Sequence, residues 1–293
     1  MTGSASTPQR PTRKGAVREV EVAVAAWIDL LGYGRMLRDV GFNPAAGGAL
    51  DAVRRLHRFH SVVAAHSSRH FPAFVLNDGA VSVRDLSPRS RSVTFDFLHR
   101  AALLHRAVNA EDQAQALPGA RMVVACGFRI RRIVDFSGFL DGSLARSVKQ
   151  KVAAKKIGVD QGINEALKAR PYSDLVPELQ ANFAFSKAYM VDDAGSRAGF
   201  GGPNCFVDLS MFADERPAWV EFDEILDWKA DGMSGRFGKL RRLDVQAAGR
   251  AGHAGILPAF DIAARLDESG KADADLKRRT VGNLRGTRPP DAS

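Results

Sequence analysis

The sequence predicts an α+β fold built on a βαββαβ sheet, and three observations predict it. The run REVEVAVAAWI at 18–28 alternates apolar and other residues, as a strand does. Two short β-prone runs, FPAFVLN and AVSVRDL, are joined through Asp78-Gly79, a strong hairpin signal. Stretches with helical spacing separate these runs from the strands on either side. The resulting order is that of the ferredoxin-like, split-βαβ unit, with helices on one face of the sheet. Many unrelated activities use this unit, so function has to come from particular residues.

In chain order, Val20, Val22, Val24 and Ile28 line one face of the first strand. Glu21, Ala23, Ala25 and Trp27 line the other, and Asp29 ends the strand on that second face. GALDAVRRLHRFHSVVAAHS within 47–68 reads as a helix, and the hairpin around Asp78 follows. In VTFDFLHRAALLHRAV, Phe97, Ala101, Leu104 and Val108 recur at helical intervals. ARMVVACGFRI after Pro118-Gly119 is a strand. The Lys-rich stretch SVKQKVAAKKIGVDQGINEALKAR has the look of an exposed helical excursion. ANFAFSKAYMVDDAG at 181–195 is helical, PNCFVDLSMF at 203–212 is a strand, and GRFGKLRRLDV at 235–245 suits a last edge strand or hairpin.

At 293 residues, 45% hydrophobic and 26% charged, the chain has an ordinary globular composition. We expect a basic tail at 1–17, one domain at 18–247, and a partly disordered extension at 248–293. Much of the net charge of +9 lies in the two ends, so solvated tails explain it better than an anionic partner. No basic motif interleaved with aromatics points to nucleic acid. No run suits a membrane span or a signal peptide, so the expectation is a cytoplasmic protein without a membrane partner. Cys126 and Cys205 have no ligand-like or redox spacing and read as buried free thiols.

A carboxylate beside a core strand is costly unless something pairs with it. The predicted topology brings Asp29 and Asp78 to the same edge of the sheet. Two such carboxylates repel unless a cation lies between them, and a divalent cation with oxygen ligands resolves this. Triphosphate oxygens then complete its shell, which is the arrangement for attack on an α-phosphate with loss of pyrophosphate. Leu30-Leu31-Gly32-Tyr33-Gly34 turns the chain into a helix, and its glycines let backbone amides approach phosphates. Simpler roles stand beside these: Asp78 as a turn former, Asp29 as an Asx-type cap, and Tyr33 as packing under the turn.

These residues resemble a known family. WIDLLGYG is similar to the first metal motif of the class III nucleotidyl cyclases, and VLNDGAVSV to the second. ARMVVACG resembles the following Arg-led strand. AFSKAYMVDDAGSRAGFGGPNCFVDL is similar to the Ala-Tyr-x-x-acid helix and next strand of the pyrimidine cyclases of Pycsar antiphage systems. The likeness spans about residues 18 to 212. It implies Asp29, Asp78 and the Leu30 carbonyl as ligands of Mn²⁺ or Mg²⁺, with Gly32, Tyr33 and Gly34 beside the nucleotide. It also implies UTP or CTP as substrate, a homodimer with composite sites, and a separate cyclic-nucleotide-responsive effector protein.

The chain departs from the family where the late helix usually carries Asn and Arg, positions held here by Ser186 and Met190. The adenine-selecting Lys/Asp pair has no clear match. Arg121, Lys187 and Arg197 are candidate cations for the transition state. The histidines His57, His60, His66 and His70 read as solvated or half-buried, and Phe185 and Tyr189 as core or dimer contacts. Retention of both aspartates favours an enzyme. Loss of the Asn/Arg pair favours a non-catalytic nucleotide-sensing or dimerisation module.

Overall fold

Strand β1 (Val20–Leu30) is the spine of the sheet, and its alternation sorts its side chains between two cores. Val22, Val24, Ala26, Ile28 and Leu30 face one layer, while Ala23, Ala25 and Trp27 face the other. The computed structural model describes residues 20–130, 148, 150–162, 176, 178–213, 217–230 and 232–267.

After β1 come helices α1 (Tyr33–Asp39) and α2 (Ala49–His66), the hairpin β2 (Ala73–Leu76) and β3 (Gly79–Asp85), helix α3 (Arg91–Gln113) and β4 (Ala120–Ile130). Then follow α4 (Phe183–Ala194), β5 (Cys205–Asp208), β6 (Val220–Ala230), β7 (Met233–Leu243), α5 (Val245–Arg250) and α6 (Ala259–Leu266). The seven strands lie in the order β2-β3-β1-β4-β5-β7-β6. The first four reproduce the predicted ferredoxin-like order, with β3 antiparallel to both β1 and β2. Strand β5 runs parallel to β4, and β7 pairs antiparallel with both β5 and β6. Residues 148 and 150–162 belong to a separate unit and are helical at 150–153 and 159–162.

Helices α2 and α3 bury Phe59, Val63, Phe97, Leu98, Ala101 and Leu104 against the Val22–Leu30 face. The βαββαβ core therefore has its helices on one face, as expected. Helix α4 lies outside that core and covers the opposite face, packing Ala184, Ala188 and Val191 against Ala23, Ala25, Val123 and Ala125. Small residues on both sides permit this close approach. Gly127 is the extreme case, because a Cβ there would sit 2.5 Å from the Ala184 nitrogen.

Three expectations change in detail. The hairpin turn is Asn77-Asp78, not Asp78-Gly79, since Gly79 already pairs with Leu76 and with Asp29. Asn77 takes the left-handed conformation at φ 58°, while Gly79 is needed for space: a Cβ there would lie 2.3 Å from the Trp27 indole. Strand β6 joins β7 as a hairpin, although its sequence shows little alternation. Register shifts between Glu221 and Phe222 and between Phe222 and Ile225 break its pairing and hide the period-two pattern.

The packed core also continues past residue 247. Ile256, Leu257, Ala259, Ile262 and Ala263 are buried with β1 and α3. Thr94 donates its hydroxyl to the Leu257 carbonyl at 3.2 Å, and Trp219 donates Nε1–H to the Ala254 carbonyl at 2.7 Å. The predicted tail at 1–17, the C-terminal residues from 268, and residues 147, 149 and 163–170 of the Lys-rich excursion lie outside the described residues.

Candidate functional site

Asp29 pairs in register with Gly79 across β1 and β3, one residue from Asp78. The backbone beyond it is tied on two sides. The Leu30 N–H donates to the Asp78 carbonyl at 3.0 Å, and the Leu31 N–H donates to the Gly119 carbonyl at 2.9 Å. The Gly119 carbonyl also accepts from Arg55 Nη2 at 3.2 Å. Arg55 is almost fully buried and forms an ion pair with Asp112 at 2.6 Å. A charge-assisted pair under the turn thus holds the strand end bearing Asp29.

Asp78 occupies the other side of this junction. Its Oδ1 accepts from the Asn77 carboxamide at 3.0 Å, and the Asn77 carbonyl accepts from His60 Nε2 at 2.8 Å. The structure therefore brings Asp29, Leu30 and Asp78 together through main-chain pairing.

The electrostatics show what this juxtaposition costs. Burial, then the carboxylates of Asp192 and Asp78, push the Asp29 carboxyl up from 3.8 to about 7, against partial opposition from Arg121 and Arg55. A carboxylate so destabilised in its charged form is a strong site for added positive charge.

Asp192 is the residue that sequence reasoning left without a role. On α4, its Oδ2 accepts from Trp27 Nε1 at 3.0 Å, while its Oδ1 takes a short bond from Arg121 Nε. Arg121 Nη2 donates to the Asp192 carbonyl at 2.7 Å and Nη1 to the Phe200 carbonyl at 2.8 Å. The acid of the Ala-Tyr-x-x-acid motif therefore ties α4 to β1 and β4 from inside the fold. That motif, with Trp27 two residues before Asp29, was the available signal.

The other predicted residues divide. The Tyr33 ring is buried in the core beneath the turn, and burial and the Asp78 carboxylate both raise the pKa of its hydroxyl. Gly32 precedes α1 at φ 75°, and Gly34 is exposed in the first turn. Arg121 is held by Asp192, and Lys187 forms a buried ion pair with Asp208 at 2.7 Å. Neither is a free cation. Arg197 is exposed in the short 3₁₀ turn Gly195–Ala198.

Phe185 and Tyr189 pack on Trp27, with ring centroids 6.0 and 5.5 Å away, and Tyr189 is half exposed. His57, His60 and His66 lie along α2 and His70 beyond it. Both cysteines are free and buried, as expected.

Among the described residues, no group of three His, Cys, Asp or Glu side chains could hold a metal ion. The two carboxylates offer hard oxygen donors and a negative field that Arg121 and Arg55 offset only in part, and with the Leu30 carbonyl nearby this donor set fits Mn²⁺ or Mg²⁺. No helix of the described residues is long and apolar enough to cross a membrane.

No family model matches the chain, and no curated protein matches it. Among solved structures, the guanylyl cyclase Cya2 is similar at 12% identity and TM-score 0.41, over 77% of this chain and 94% of that one. The dimeric guanylyl cyclase domain of the RhoGC fusion protein from the aquatic fungus Blastocladiella emersonii gives 8% identity and TM-score 0.38, covering 77% and 99%. The guanylate cyclase domain of RhGC from Catenaria anguillulae, solved with GTP, gives 8% and 0.41, also covering 77% and 99%.

Proposed function

We propose that the protein is a metal-dependent nucleotidyl cyclase. The observation that carries the reading is the junction of Asp29 and Asp78, where burial and like charge hold a carboxyl near neutrality. Asp29, Asp78 and the Leu30 carbonyl are the proposed metal ligands, and the backbone of Gly32, Tyr33 and Gly34 is the proposed neighbour of the triphosphate. When bound, Mn²⁺ or Mg²⁺ supplies the positive charge that activates a 3′-hydroxyl and stabilises departing pyrophosphate. In the reaction, the 3′-oxygen bonds to the α-phosphorus, the bond to the bridging oxygen breaks, and the hydroxyl proton leaves to solvent. The chain's part is to fix two carboxylates at one point through the β1–β3 register, where Arg121 and Arg55 offset their charge only in part.

The substrate we propose is a pyrimidine triphosphate, UTP ahead of CTP. The resemblance at the AYMVDD helix and the missing adenine-reading pair support it. A site built on specific hydrogen bonds rejects bases that leave them unpaired. The product would then be a second messenger for a separate effector in antiphage defence. Purified protein given Mn²⁺ and the four nucleoside triphosphates, with products separated by mass, tests this. A cyclic pyrimidine monophosphate is expected, and cyclic AMP or cyclic GMP as main product contradicts the base assignment.

One observation bears on a second reading. Arg121 and Lys187 are both held in buried ion pairs, so neither is at hand for a triphosphate. Phosphoryl transfer needs several cations. We propose that other, exposed cations of a second copy supply the charge in a homodimer with composite sites. The alternative is a non-catalytic nucleotide-sensing or dimerisation module. Mixing two differently inactivated variants separates these, since only composite catalytic sites regain turnover.

A further inference from the structure

We propose that Asn77 and His60 are positioning residues that aim the Asp78 carboxylate, forming a relay from helix α2 to the metal junction. The inference rests on the metal reading above. Three features of one short segment support it. Asn77 holds a left-handed backbone at φ 58°, a conformation that asparagine tolerates better than most side chains. Its carboxamide donates to Asp78 Oδ1 at 3.0 Å, which leaves Oδ2 and the second lone pair of Oδ1 for a cation. Its carbonyl accepts from His60 Nε2 at 2.8 Å, so that ring nitrogen carries the hydrogen and pins the turn to α2.

On its β3 side the turn is held by the Leu30 N–H on the Asp78 carbonyl, but on its β2 side it has few other anchors. Asn77 is exposed, and Val75 and Leu76 of the edge strand β2 are 40% and 46% exposed. The β2 side of the turn ends a four-residue edge strand, which packing holds only weakly. The His60 bond ties it to an 18-residue helix whose other face is buried in the core. Orienting contacts of this kind around a ligating carboxylate typically govern metal affinity by about tenfold or more.

The test uses Mn²⁺ alone, titrated into full-length protein without nucleotide and followed by the electron paramagnetic resonance of free Mn²⁺. Unfolding midpoints are measured in parallel. Asn77→Gly keeps the left-handed turn but removes the carboxamide, and His60→Ala removes the clamp. His60→Gln restores a donor at similar reach. The relay predicts about tenfold weaker Mn²⁺ binding in Asn77→Gly and His60→Ala, with recovery in His60→Gln and unfolding midpoints close to wild type. Wild-type Mn²⁺ affinity in Asn77→Gly, or equal losses in His60→Ala and His60→Gln, overturns it. Asp29→Asn serves as the reference. Mn²⁺ uptake by the wild type that Asp29→Asn loses confirms the metal reading independently of the relay. A wild type that binds no Mn²⁺ overturns that reading, and the relay with it.

Discussion

The Leu30 N–H and the Asp78 carbonyl meet at 3.0 Å, and this single main-chain bond locks the two acidic residues of the site into one place. Asp29 is one residue before the donor, and Asp78 carries the acceptor. Their proximity is therefore a property of strand register and survives changes to either side chain.

Asp29→Asn should stabilise the metal-free protein at alkaline pH. The folded carboxyl titrates at about 7 against 3.8 unfolded, so between those values the folded chain retains a proton that the unfolded chain has lost. Stability from this group is full below pH 3.8 and is lost as pH rises through 7. The loss is on the order of 2–4 kcal/mol, and asparagine removes it. Denaturant unfolding in chelator at pH 5 and pH 8 checks this. The variant should gain on wild type between the two pH values, and a variant less stable than wild type at pH 8 contradicts the assignment.

Mn²⁺ binding should compete with the same proton. Apparent affinity should rise about tenfold per pH unit below pH 7 and level off above it, with about one proton released per ion at pH 6. Calorimetric titration in buffers of different ionisation enthalpy measures that release. A pH-independent affinity from pH 5.5 to 8 is incompatible with Asp29 as a ligand.

Asp192→Ala should destabilise the fold by about 3–5 kcal/mol, because it leaves the Arg121 guanidinium buried without its partner. It also removes a carboxylate that raises the Asp29 pKa, so the slope of stability against pH near neutrality should flatten. Urea unfolding across pH reports both effects. Unchanged stability would show that the main-chain carbonyls of Asp192 and Phe200 suffice to hold Arg121.

The core order and the proximity of Asp29 and Asp78 were legible in the sequence because they ride on short-range signals. Alternation in β1 assigned Asp29 to the face of Ala25 and Trp27, and the hairpin around Asp78 fixed the neighbouring turn. The tertiary clamps were not legible. Nothing local in AYMVDD says that Asp192 reaches Trp27, 165 residues away in the chain. His60 likewise reads as a surface histidine until the hairpin folds back beside α2. Strand β6 was hidden by its register shifts, and α6 by its position inside a stretch expected to be an extension.

The most direct measurement of the central claim is Mn²⁺-dependent pyrophosphate release from UTP and CTP by wild type, Asp29→Asn and Asp78→Asn, each confirmed folded. Either substitution removes a carboxylate charge with almost no change in volume. The account predicts release by wild type that stops in chelator and falls by at least about a hundredfold in both variants. Near wild-type release by either variant, or release that persists in chelator, contradicts it.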